Sequence, residues 1–237
     1  MRFYRGISPI KAMTFDLDDT LYDNRPVIQR VEQKITQWLH RHHPVSATRN
    51  YGWWQQVKRD AAIADPMLKH DVTRWRFEQI LQGFLQLGYS EEQASRTAQQ
   101  TIEEVLVLRS QFDVPEESHR VLSLLSERYP LVAITNGNVD VGKIGLEQYF
   151  SLVLKAGPDG RAKPDADLYI KAASFLELAP QSILHVGDHL VTDVAGAKRS
   201  GFQACWYNNQ DTDLIRHSRS KTLPDIEIDR LDSLLLL

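Results

Sequence analysis

Short apolar runs that end abruptly in acidic or polar clusters, with helical periodicity between them, restrict the fold of this chain more than any other feature. Ile10 to Phe15, interrupted by Lys11 and Thr14, runs into Asp16-Leu17-Asp18-Asp19-Thr20. Leu131 to Thr135 runs into Asn136-Gly137-Asn138, and Ile183 to Val186 into Gly187-Asp188. Runs this short, bounded by turn formers, read as buried strands, and each cluster reads as the loop leaving a strand's C-terminal end. Ser151 to Leu154 and Gln203 to Tyr207 read as further strands. Helical patterns separate them: Val121, Leu122 and Leu125 after Pro115, then about Asp165 to Leu178, then Thr192 to Ser200, stopping at Gly201. This alternation predicts an α/β fold, a Rossmann-like and mainly parallel sheet with helices on both faces. Such sheets bind ligands beyond the carboxyl ends of their strands, so the three clusters are expected to converge.

The alternation lapses once. From Asn24, a candidate cap with Pro26 in the first turn, Val27, Val31, Ile35, Trp38 and Leu39 recur at helical spacing. The pattern continues through Trp53, Trp54 and Val57, restarts after Asp65-Pro66 with Trp75, Ile80, Leu81 and Phe84, and stops near Gly88. Ser90 and Gln93 then form a capping box for a helix containing Ile102, Val105 and Leu106. No strand is evident there. The expected organisation is therefore an α/β core from residues 1–23 and 113–237, interrupted by an all-helical insert at 24–112.

Composition excludes several classes. With 28 Lys plus Arg against 31 Asp plus Glu, the formal net charge is −3, which argues against a nucleic-acid or anionic-membrane partner. The single cysteine, Cys205, allows no internal disulfide and no thiolate metal cage, which suits a reducing compartment. The N-terminus lacks an apolar stretch followed by a small-residue cleavage site, and Leu234 to Leu237 is far shorter than the roughly 20 residues that span a bilayer. A cytoplasmic location follows as the expectation, with the leucine tail docked on the core.

The clusters carry the chemistry. Asp16, Asp18, Asp188 and Asp193 would bring four carboxylates to one sheet edge, an arrangement that calls for a cation, and hard oxygen ligands favour magnesium. An EF-hand is excluded because Leu21 stands where that loop needs its glycine. Lys163 would neutralise an anionic group bound between the strand ends carrying Thr135 and Asp188, and the Thr135 hydroxyl and Asn136 amide would donate to phosphate oxygens. Gly137 to Lys143 has P-loop spacing, but Ile144 replaces the hydroxyl that a P-loop needs for magnesium. His40, His42 and His43 suit a solvated helix terminus, His185 a packed strand position, and His189 the mouth of the site. Tyr51, Trp53, Trp54, Trp75 and Phe77 read most simply as the core of the insert, with one exposed member available to stack on a flat ring.

Phe15-Asp16-Leu17-Asp18-Asp19-Thr20-Leu21, Ile134-Thr135-Asn136-Gly137, Lys163-Pro164-Asp165 and Gly187-Asp188 with Asp193 resemble the four ordered motifs of the haloacid dehalogenase-like hydrolases. The resemblance spans about residues 10 to 207, and the insert resembles that family's helical cap. More narrowly, the chain resembles bacterial phosphatases of the family that act on flavin mononucleotide and on the phosphorylated ribitylaminouracil of riboflavin synthesis. Ala166 replaces a proline and Thr192 an asparagine common in the family, and neither change removes a charge or a ligand. The resemblance implies a magnesium-dependent phosphomonoesterase acting on a small phosphorylated metabolite. Asp16 would be its nucleophile and Asp18 its general acid and base. Asp16, the Asp18 carbonyl, Asp188 and, through water, Asp193 would hold the metal, while Thr135, Asn136 and Lys163 would hold the phosphoryl oxygens. The dehalogenase branch is disfavoured, because it lacks the second aspartate that Asp18 supplies and needs no metal.

Overall fold

The computed structural model describes residues 1–209, 214 and 221–237. In chain order its elements are β1 (Arg2–Phe3), β2 (Ala12–Phe15), α1 (Arg25–His42), α2 (Tyr51–Ala64), α3 (Val72–Gln86), α4 (Glu91–Arg109), α5 (Glu116–Ser126), β3 (Leu131–Thr135), β4 (Leu152–Lys155), α6 (Asp167–Leu176), β5 (Ile183–Gly187), α7 (Gly196–Arg199), β6 (Gln203–Tyr207) and β7 (Ile226–Ile228). The strands form one sheet in the order β1-β7-β6-β5-β2-β3-β4. Every pairing is parallel except β1 against β7. This is the expected mainly parallel Rossmann-like α/β fold.

Several boundaries differ from expectation for local reasons. β1 and β7 have only two and three residues, too short for any alternation to register, and pairing alone defines them. The helix expected over Thr192 to Ser200 is a wide π turn over Leu190–Ala195 running into α7. That turn brings both the Asp193 and Val194 amides to the His189 carbonyl. Residues after Lys143 form turns closed by Gly145 N donating to Gly142 O and Leu146 N to Val141 O. No helix starts at Lys143, and the next one, a single 3-10 turn over Glu147–Tyr149, begins four residues later, so the P-loop reading fails on structure as well as on Ile144. The leucine tail docks in part: Leu231 and Leu234 are buried, while Leu236 is exposed. Among the described residues no helix is long and apolar enough to cross a membrane.

The chain divides into two compact units. Met1–Asp23, Asp113–Gly137 and Val141–Leu237 form the α/β unit, whose main core packs Val132, Ile134, Leu168, Tyr169, Phe202 and Trp206 about the sheet. Asn24–Phe112 with Asn138–Asp140 forms the helical unit, which has no strand. There, Val31, Ile35 and Leu39 of α1 meet Ile80 and Phe84 of α3 and Ala94, Ala98 and Val105 of α4. Ser90 and Gln93 close the expected capping box. Asn24 stands at the α1 N-cap without a side-chain cap bond, whereas Asn50 and Asp71 cap α2 and α3 through theirs. Gly83 is required by packing, since a Cβ there would lie 2.2 Å from the Trp54 indole. The aromatic set is only partly core. Trp54 and Phe77 pack against the cluster, Trp53 and Trp75 lie half-buried under Arg49 and Lys58, and Tyr51 is exposed.

Candidate active site

The central strands bring the three clusters to one edge. Phe15 pairs with Ala133 on β3 and with Val186 on β5, so Asp16, Thr135 and Gly187-Asp188 emerge together at the C-terminal ends. Asp16 N donates to Val186 O at 2.9 Å, which holds the start of the loop against β5. The loop then turns sharply through Asp19, whose φ of 60° is left-handed, a conformation that aspartate tolerates better than most residues. Tyr22 OH donates to Asp18 Oδ1 at 2.6 Å. The Thr20 hydroxyl donates to Asp188 Oδ1 at 3.3 Å and accepts from Asp188 N at 3.1 Å, tying the first cluster to the last.

Lys163 is the centre of charge. Its Nζ is buried and donates to Asp16 Oδ1, Asp193 Oδ1 and Ile134 O, each at 2.7 Å, which uses all three ammonium protons. Asn136 holds the lysine backbone: its Nδ2 donates to Lys163 O at 2.9 Å, and its Oδ1 accepts from Lys163 N at 2.8 Å. The Lys163-Pro164 peptide is cis. Gly137 N donates to Thr135 Oγ1 at 2.9 Å, and a Cβ on Gly137 would come within 2.4 Å of Asp18 Oδ2. Gly187 has the same role beside Asp193, whose Cγ would lie 2.4 Å from an added Cβ. Both glycines are there because a carboxylate occupies the space a side chain would fill.

Asp193 is buried and meets four donors, about as many as a carboxylate has lone-pair sites. Lys163 Nζ and His185 Nε2 (3.3 Å) reach Oδ1, while His189 N (3.0 Å) and Thr192 Oγ1 (3.3 Å) reach Oδ2. Burial works against its charge, but Lys163 and His185 overcome that and hold the carboxyl below the usual carboxylate range. Asp16 goes the other way. Burial pushes it well up, Lys163 pulls it down, and Asp193 and Asp18 push it up again. Burial, then Asp193 and Asp19, raise Asp188 to about 7. Burial also opposes the Lys163 charge, yet Asp16 and Asp193 raise its pKa and keep it an ammonium.

One carboxylate oxygen from each of Asp16, Asp188 and Asp193 lies within 4.8 Å of the other two. Three hard oxygen donors, of which Asp16 and Asp188 are made reluctant to ionise by burial and by the charge of Asp193, fit a divalent cation such as magnesium, whose charge reverses that reluctance. The Asp18 side chain lies outside this group. The structure thus brings together Asp16, Thr135, Asn136, Lys163, Asp188 and Asp193, with Asp18 following on the same loop. Sequence reasoning missed three supports. These are the Asn136 clamp on Lys163, the Thr20 bridge to Asp188, and Trp206, whose Nε1 donates to Asp188 O at 2.7 Å. Only the threonine, two residues past Asp18, left a signal that could have been used. His189 Nδ1 accepts from the Val191 and Thr192 amides and so caps the π turn.

The family described as haloacid dehalogenase-like hydrolase matches residues 10–201. Among curated relatives, the 5-amino-6-(5-phospho-D-ribitylamino)uracil phosphatase YigB of Escherichia coli is 47% identical over 234 residues, covering 99% of this chain and 98% of that one. A glyceraldehyde 3-phosphate phosphatase of Pyrococcus furiosus is 26% identical, covering 84% of this chain and 80% of that one. The crystal structure of a 2-haloacid dehalogenase from Pseudomonas syringae superposes with a TM-score of 0.90 at 32% identity, covering 96% of this chain and 97% of that chain.

Proposed function

The chain belongs to the haloacid dehalogenase-like hydrolases and is a phosphatase, and from that premise we propose a magnesium-dependent phosphomonoesterase acting through an aspartyl phosphate on Asp16. The observation that carries this reading is the sharing of one buried ammonium, Lys163, between Asp16 and Asp193 at the strand edge. Asp16 attacks phosphorus in line with the leaving alkoxide, forming the acyl phosphate O–P bond as the ester O–P bond breaks. Asp18 gives its proton to the departing oxygen, then takes one from the water that hydrolyses the acyl phosphate and regenerates Asp16. Thr135 and the backbone N–H of Asn136 hold the phosphoryl oxygens, and Lys163 joins them by exchanging one of its three present hydrogen bonds for a phosphoryl oxygen. Asp16, the Asp18 carbonyl and Asp188 would hold magnesium, with Asp193 acting through water. Bound there, the ion would keep the carboxylates ionised and draw charge from the phosphoryl group.

The helical unit is proposed as the family's cap domain, and the substrates as 5-amino-6-(5-phospho-D-ribitylamino)uracil and flavin mononucleotide. They share a ribityl phosphate and differ in the ring. The 47% identity to the Escherichia coli enzyme supports the first. The exposed Tyr51 ring and the half-buried Trp53 and Trp75 are aromatic surface for a planar ring. Stacking contributes about 0.5 to 1.5 kcal/mol, or roughly tenfold, so other small phosphorylated metabolites such as sugar phosphates are disfavoured without being excluded. Halide displacement from carbon needs no acid for its leaving group, which leaves Asp18 without a task in a dehalogenase.

Asp16→Asn should abolish p-nitrophenyl phosphate hydrolysis with the fold intact; activity within about tenfold of wild type would refute the nucleophile. EDTA should stop turnover and magnesium restore it. A kcat/KM for flavin mononucleotide below that of several sugar phosphates would count against the aromatic surface, and halide release from 2-chloropropionate would count against the reaction class.

A further inference from the structure

One buried polar side chain of the α/β unit has no task in the reaction above. His185 sits in the middle of β5, a central strand where an apolar residue would pack at no polar cost, and it is 1% exposed. Its Nδ1 lies 2.8 Å from Thr14 Oγ1, directly across on β2, and its Nε2 lies 3.3 Å from Asp193 Oδ1. An ionised carboxylate can only accept, so Nε2 carries the proton. The Nδ1 lone pair then accepts from the Thr14 hydroxyl. Tyr169 stands edge-on to the imidazole, with ring centroids 5.1 Å apart at 83°. The Tyr169 hydroxyl donates to Thr192 O at 3.1 Å and to Asp193 O at 3.3 Å, anchoring the backbone that carries the aspartate. The imidazole is therefore fixed at both nitrogens and along one edge.

The oxygen that accepts from His185 is the same Oδ1 that accepts from Lys163, and Lys163 in turn reaches Asp16. We propose that His185 is a positioning residue: its Nε2–H sets the orientation of Asp193, and through Asp193 the place of the Lys163 ammonium beside Asp16. A line of contacts runs Thr14, His185, Asp193, Lys163, Asp16, and of these Thr14 and His185 touch no reacting atom. This inference rests on the proposed roles of Asp16 and Lys163. Its content beyond them is that a hydrogen bond, and not only the volume of a ring, is what position 185 supplies.

Near-isosteric glutamine and methionine separate the two. Full-length His185→Gln keeps a donor aimed at Asp193, His185→Met keeps the bulk without it, and Thr14→Val removes the hydroxyl that fixes the ring. Each is assayed for kcat and KM on p-nitrophenyl phosphate with magnesium, for magnesium affinity by calorimetry, and for Tm to establish folding. His185→Met should lose about 10- to 100-fold in kcat and a comparable factor in magnesium affinity, the range found when groups behind metal ligands are removed. His185→Gln should recover most of both, and Thr14→Val should fall between. If methionine and glutamine behave alike in both measurements, the residue is packing only and the proposal is overturned. Should His185→Met not fold, a Thr14→Val enzyme with wild-type kcat and magnesium affinity overturns it equally. A wild-type protein that neither hydrolyses phosphomonoesters nor binds magnesium refutes the phosphatase reading instead, a result distinct from all of these.

Discussion

Replacing Lys163 with methionine should be among the most damaging single changes in the α/β unit, and its size can be worked from the geometry. The ammonium makes three 2.7 Å hydrogen bonds, two of them to carboxylates whose side chains are 11% and 1% exposed. Methionine keeps the length and apolar stem but leaves Asp16 and Asp193 facing each other without a counter-charge. Breaking a buried pair from one side costs about 3 to 5 kcal/mol. At about 2 to 4 °C per kcal/mol for a chain of this size, Tm should fall by roughly 6 to 20 °C. The deficit should depend on pH. Asp16 is already pushed above the carboxylate range, and losing Lys163 pushes it further. A carboxyl whose folded value exceeds its unfolded value stabilises when protonated, and that contribution is lost as pH rises through the folded value. The variant should therefore lie closer to wild type at about pH 5 than at about pH 8. Circular dichroism melts in EDTA at both pH values provide the test. A Tm within about 2 °C of wild type at the higher pH, or a deficit that grows on acidification, would refute the account of a shared buried ammonium.

Two other changes test the site and the helical unit. Asp188 is raised from its ordinary 3.8 to about 7, so its contribution to stability is lost as pH rises across that interval. In EDTA at about pH 8, Asp188→Asn should melt above wild type while losing the response to magnesium, and a lower Tm would contradict the cost assigned to that charge. Gly83→Ala should reverse the usual helix preference of about 1 kcal/mol for alanine. The added Cβ would meet the Trp54 ring at 2.2 Å, and overpacking of this kind costs about 1 to 3 kcal/mol. A variant as stable as wild type in thermal melts would show that the indole moves freely.

The parts of the site legible in the sequence were those whose signal is local. Asp16, Asp18, Thr135, Asn136 and Asp188 announce themselves because each sits on or just past an apolar run, where a strand must end, and Asp193 follows within the last of these clusters. Lys163 was readable only by its order among those clusters, since nothing around a lysine before a proline marks it as buried. Trp206 and the Asn136 side chain were not readable at all. Their partners, Asp188 O and the Lys163 backbone, are brought to them by folding from 18 and 27 residues away. His185 reads as a packed strand histidine and is one, but the second half of its role depends on Asp193 folding back beneath Gly187.

The sequence by itself determined the parallel α/β order, the helical interruption and the edge at which charge would gather. Strand and helix periods are properties of neighbouring residues, and a parallel sheet leaves its strand ends on one side. Tertiary structure decided which carboxylate is pressed upward and which is held low. Asp16, Asp188 and Asp193 are chemically alike along the chain, and only their burial, their donors and whether they touch the Lys163 ammonium make them different acids. Those quantities are set by long-range packing, which no local pattern records.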